Sequence, residues 1–117
     1  MADCACGGSS RLIFSCSGAA DVGELSDQVA RKLSRDSKGR LFCTAVIGAN
    51  IVEKIAPVKT ASELMTIDGC GVLCAKKILE NAGFSPKSYN MQELGFQKGK
   101  TEVNSLNIAA AISKIGL

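Results

Sequence analysis

The sequence predicts an α/β fold: a three-layer sandwich around a mainly parallel four-stranded sheet, Rossmann-like or flavodoxin-like, in strand order 2-1-3-4. Three observations predict it. Short apolar, β-branched runs alternate along the chain with stretches whose apolar residues recur every three or four positions, the pattern of βα units joined by right-handed crossovers. No linker, internal repeat or low-complexity segment interrupts that alternation after the first ten residues. At 117 residues, 46% hydrophobic and 21% charged, the chain can bury a core without covalent staples. Residues 1–10 are expected to form a flexible Cys/Gly/Ser head, and residues 11–117 a single domain.

The elements follow in order. "RLIFSCSG" is an apolar run closed by Ser and Gly, a buried first strand. In "ADVGELSDQVARKLSRDSKG", Val22, Leu25, Val29 and Leu33 fall at helical spacing, with Asp21 at the N-cap and Gly39 past the end. "RLFCTAVIG" reads as a second strand, and "NIVEKIAPVKTAS" as a shorter helical segment ended or bent near Pro57. "ELMTIDG" is the third strand. "GVLCAKKILENAG" is the helix after it, with Ala75, Ile78, Leu79 and Ala82 on one face. "SYNMQELGF" is a weaker fourth strand, and "NSLNIAAAISKIGL" a last helix with Ile108, Ile112 and Ile115 inward.

Composition excludes some functions. The net charge of +3 comes from 14 basic residues interspersed with 11 acids, and one Tyr, four Phe and no Trp leave few stacking residues, so nucleic acid is not expected as a partner. No run approaches the roughly 18 apolar residues of a membrane span. The N-terminus lacks the basic and long apolar regions of a signal peptide, so the cytoplasm is the expected compartment, where thiols stay reduced. Six cysteines there read as metal or redox chemistry rather than a disulfide framework. Nothing in the sequence identifies a protein partner.

In open α/β sheets, sites form outside the carboxyl ends of the strands. Cys16 stands at that end of the first strand and Cys70 at that of the third, and the 2-1-3-4 order makes these strands neighbours. Cys74 is expected one helical turn after Cys70, with Cβ atoms roughly 5–6 Å apart. That suits two thiolates on one metal, with Zn–S bonds of about 2.3 Å. The helix N-terminus favours the thiolate form. Cys43 reaches the same edge if the second strand ends early, and is a core residue otherwise. Cys4 and Cys6, on the head, are alternative ligands.

The plainer reading is that free cysteine behaves as a small apolar side chain. It weighs most on Cys43 and least on Cys70, which follows Asp-Gly at a turn. C-x3-C is also not the C-x2-C of zinc ribbons, and soft thiolates suit Cu(I) and iron–sulfur clusters as well as zinc. Asp68 either orients or binds a metal, or Asp68-Gly69 simply makes a turn and caps the next helix. The small residues of "SCSGAADVGEL" offer backbone N–H groups to an anion, although a plain βα turn needs small residues too.

With these residues in view, the chain resembles the DGC-domain family of proposed zinc-binding proteins, named after the motif found here as Asp68-Gly69-Cys70. The likeness runs through "LIFSCSGAADVGELSDQVARKL", "GRLFCTAVIG" and "MTIDGCGVLCAKKILENAGF". It implies four cysteine chelators, at Cys16, Cys43, Cys70 and Cys74. Where members often carry proline after the DGC cysteine, at the first helical position, this chain has Gly71.

The leading expectation is therefore a zinc-binding protein with a cysteine-thiolate site at the carboxyl edge of the sheet, structural or engaged in metal or metalloid handling. Four sulfur ligands would close the site and leave no open position for catalysis. A second class is a dithiol redox or thiol-transfer enzyme using Cys70 and Cys74, resolved by Cys16. A third is an iron–sulfur or partner-binding module. "LIFSCSGAADVGE" superficially resembles a phosphatase nucleophile loop, but Ser17 to Glu24 contains no arginine to clamp an oxyanion. With no histidine in the chain there is no Cys–His pair either.

Overall fold

A computed structural model describes residues 10–117. Residues 1–9 of the expected head, with Cys4 and Cys6, lie outside the described residues. Four strands, β1 (Arg11–Ser15), β2 (Arg40–Leu41), β3 (Glu63–Asp68) and β4 (Lys87–Asn90), form one sheet in the order β2-β1-β3-β4 with every pair parallel. This is the architecture expected from the alternating pattern. Among the described residues, five α-helices accompany them, α1 (Asp21–Arg35), α2 (Thr44–Gly48), α3 (Ala56–Thr60), α4 (Cys74–Asn81) and α5 (Ser105–Ile115), with a 3-10 turn at Val52–Lys54.

Both faces of a parallel sheet must be covered, and side chains alternate between them. Ile13, Met65 and Ile67 join Val22, Leu25, Val29 and Leu33 of α1 and Ala111 and Ile115 of α5 in one cluster. Leu12 and Phe14 point the other way, packing with Ile47 of α2, Val58 of α3 and Leu79 of α4. The spacing of apolar residues in α1 and α5 is thus used as the sequence predicts. Partly buried Ile108 and Ile112 pack against the first cluster beside Ile115.

Four local expectations are corrected. "RLFCTAVIG" is a strand only for its first two residues; Cys43 is the N-cap of α2, and Ile47 is buried. An apolar run of this length has no period that separates strand from helix. Pro57 does not end a helix but occupies the first turn of α3, where its missing N–H costs nothing. Asp21 is the first helical residue of α1, after N-cap Ala20, and its carboxylate instead accepts from the N–H of Val22 at 2.7 Å, Gly99 at 2.9 Å and Thr101 at 3.0 Å.

The fourth correction bears on the site. The helix after β3 starts at Cys74, and its N-cap, Leu73, is left-handed at φ 59°. Cys70, Gly71 and Val72 are turn residues, so Gly71 does not hold the first helical position, and its N–H bonds Gln92 Oε1 at 2.8 Å. Cys70 and Cys74 therefore do not share a helix face.

Candidate functional site

The carboxyl ends of β1, β2 and β3 carry the cysteines. Cys16 follows β1, its N–H bonding the Ile67 carbonyl at 3.0 Å, which extends the β1·β3 ladder by one residue. Cys43 follows the short β2 and is exposed. Cys74 opens α4, also exposed, while Cys16 and Cys70 are half-buried.

The β1–α1 loop and the β3–α4 loop are packed backbone against backbone. A Cβ on Gly69 would stand 2.6 Å from the Gly23 nitrogen, and one on Gly23 would stand 2.9 Å from the Gly18 carbonyl oxygen. Real Cβ atoms do not come so close, so both positions require glycine for space alone. The same packing answers the anion-cradle question: the first turn of α1 is covered by the chain's own Gly69, with the Asp21 carboxylate beside it. The plain βα-turn reading of "SCSGAADVGEL" accounts for the glycine at position 23.

Asp68, 1% exposed, points back at α4. Its Oδ1 accepts from Ala75 N–H at 2.7 Å and its Oδ2 from Lys76 N–H at 3.1 Å. These are orphan donors at a helix start, the groups a capping carboxylate satisfies. Burial raises the proton affinity of Asp68, and the two N–H bonds, with the charges of Lys76 and Lys77, offset part of that rise. The Asp-Gly of the motif is thus an anchor: Asp68 ties the start of α4 to the end of β3, and Gly69 lets that loop lie against α1.

Cys16, Cys43 and Cys74 line one cavity of about 500 Å³. Cys70 does not line it; it packs against the cluster between the sheet and α1/α5. Burial pushes the Cys16 thiol up. The Gly18 and Gly69 N–H groups pull against that rise, whereas the charges of Asp68 and Cys74 add to it, so the net shift is upward. Among the described residues, no group of three or more Cys, Asp or Glu stands close enough together to form a ready metal cage. The donor chemistry nevertheless fits a thiophilic ion, since three of the four expected sulfurs open onto the same space.

Two residues of this cavity escaped the sequence reading. Asp27, on the second turn of α1, accepts from Ser17 Oγ at 2.9 Å, from Ser15 Oγ at 3.4 Å and from Arg31 Nε at 2.8 Å. Burial would raise its pKa, but the bond from Arg31, then that of Ser17 and the Arg31 charge, bring it below the ordinary value. Arg31 is held more firmly protonated by the same pairing. Arg31 thus lines the same cavity as Cys16, although Ser17 to Glu24 contains no arginine. The visible signal was the i,i+4 pair Asp27/Arg31, which on its own reads as an ordinary helix ion pair.

A family model described as the DGC domain matches residues 12–115. The chain is also similar to the anaerobic and virulence modulator AnvM of Pseudomonas aeruginosa PAO1, 25% identical over 88 residues that cover 74% of this chain and 67% of that protein. No solved structure matches. Among the described residues, no helix is long and apolar enough to cross a membrane.

Proposed function

The chain belongs to the DGC-domain family, and from that premise we propose that it binds zinc through cysteine thiolates at the carboxyl edge of the sheet, in a structural or metal-handling role. The observation that carries this reading is the convergence of Cys16, Cys43 and Cys74, from three successive βα units, on one cavity. Zinc accepts thiolate sulfur in tetrahedral sites, and a set of four would complete its coordination. We take Cys70, the cysteine of the motif, as the fourth ligand, with Cys4 and Cys6 as its competitors. Because Cys70 rests against the core, binding would draw the β3–α4 turn toward the cavity. Such ordering by the metal is common where ligands come from separate loops.

The name of the Pseudomonas relative describes a modulator, and four sulfur ligands would leave zinc no open position for a substrate. Both favour a site that holds metal over one that turns over a substrate. The dithiol alternative shifts its pair, since Cys16 and Cys74 share the cavity whereas Cys70 and Cys74 are split by the left-handed Leu73. An upward-shifted Cys16 thiol is poorly suited to be the attacking group at neutral pH.

Metal content per chain by mass spectrometry, on protein purified without chelator, tests the reading. The expected outcome is one zinc per chain, lost when Cys16, Cys43, Cys70 or Cys74 is changed to serine and kept when Cys4 or Cys6 is. Iron or copper in its place would change the metal and keep the site. A folded protein without metal would leave the dithiol reading, to be pursued through the reduction potential of the Cys16/Cys74 pair.

A further inference from the structure

The thiol cavity is larger than a metal ion requires. At about 500 Å³ it falls within the range of small-molecule sites, roughly 300–1,000 Å³. Its walls differ in kind. Phe42 and Ile78 belong to the apolar side that packs with α2 and α4, while Leu41 lies on the α1 side with Arg31 and Asp27. Asp27 is occupied by Ser17 Oγ and by Arg31 Nε, which leaves the Nη1–Nη2 edge of the guanidinium facing away from Asp27. The Nη1 and Nη2 groups of Arg31 make no hydrogen bond among the described residues. A guanidinium edge with two parallel N–H donors matches a carboxylate in bidentate fashion. The Asp27–Arg31 pair carries no net charge, which favours a monoanion over a dianion such as phosphate.

We propose that this cavity binds a small organic monocarboxylate, its carboxylate on the outer edge of Arg31 and its apolar body along Phe42 and Ile78. Neither Arg31 nor the apolar wall belongs to the proposed zinc ligands, so the proposal is made for the metal-free cavity and is tested there. The arrangement is that of small-molecule sites generally, an apolar surface with a few polar groups that set orientation.

Isothermal titration of the full chain with hexanoate, in the presence of chelator, tests the proposal, with hexanamide and inorganic phosphate as comparison probes. Saturable hexanoate binding is expected. Arg31→Gln should weaken it about tenfold or more, the scale of a lost charge-assisted pair, and Arg31→Lys should weaken it less. Hexanamide should bind the unaltered protein no more tightly than it binds the Arg31→Gln variant. Ile78→Asp, which leaves Arg31 in place, should also lose hexanoate. The proposal is overturned if hexanoate binds both Arg31 forms equally, if hexanamide or phosphate binds as tightly as hexanoate, or if no saturable binding occurs. Melting temperatures of the variants separate lost binding from lost folding.

Discussion

A Cβ added to Gly69 would meet the Gly23 nitrogen and the Val22 carbonyl carbon at 2.6 Å, and both obstacles are backbone, so neither can rotate away. Gly69→Ala is therefore expected to destabilise the fold by about 1–3 kcal/mol, the usual cost of forced overpacking. Urea unfolding measures this, and unchanged stability would contradict the close approach. Asp21 makes a different kind of prediction. The N–H groups of Gly99 and Thr101 lower its pKa in the folded chain, so its contribution is present above the ordinary carboxylate pKa and is lost as pH falls through the folded value. Asp21→Asn should flatten the acid limb of a stability-against-pH curve and leave its alkaline limb unchanged. At this scale the sequence was half legible. That Asp68-Gly69 mattered was visible, but Asp68's partners, Ala75 and Lys76, fall inside the expected helix rather than at its start.

The misplaced start of α4 is a matter of elements. A helix from Gly71 would have stacked Cys70 over Cys74, and the pattern of Ala75, Ile78, Leu79 and Ala82 gave no reason to delay it. The break comes from Leu73, a residue type that rarely adopts positive φ, so nothing in the sequence marked it. Relief of that strain makes a specific expectation. Leu73→Gly should be close to neutral or stabilising by about 1 kcal/mol, where a leucine inside a helix would lose stability on the same change. Thermal unfolding decides between the two. The second element misread, β2, failed for another reason. Both strand and helix bury one side of "TAVIG", and only the seat of Ile47 between α4 and the sheet selects the helix. By contrast α1 was legible because fifteen residues carry enough turns to fix a period.

Over the whole molecule, strand order and layering were readable because they follow from the count and sequence of βα units, which survive errors of a few residues at any boundary. The site was readable as an edge but not as a geometry: which sulfurs open onto a common cavity depends on loop conformations that no periodicity encodes. If zinc ties together the ends of β1, β2 and β3, it should act on the stability of the entire domain. Free zinc at a hundred times the dissociation constant would add about 2.7 kcal/mol, and each kcal/mol is worth about 4 °C in a domain of this size. Chelator should thus lower the melting temperature of the unaltered protein markedly and leave a Cys16→Ser, Cys74→Ser double variant where it is. An equal response in both would remove the metal from the account.

The pairing of β1 with β3 has a consequence in time. Arg11 to Ser15 align with Glu63 to Ile67, more than fifty residues further along, while β2 meets β1 at only two positions. A growing polypeptide leaving the ribosome therefore exposes Cys16 and Cys43 well before the strand that fixes their neighbourhood has been made. The thiol cavity comes into existence only after residue 74 has emerged and β3 has inserted beside β1. An occupant held by all three cysteines therefore joins the chain only after β3, however early any one thiol is exposed.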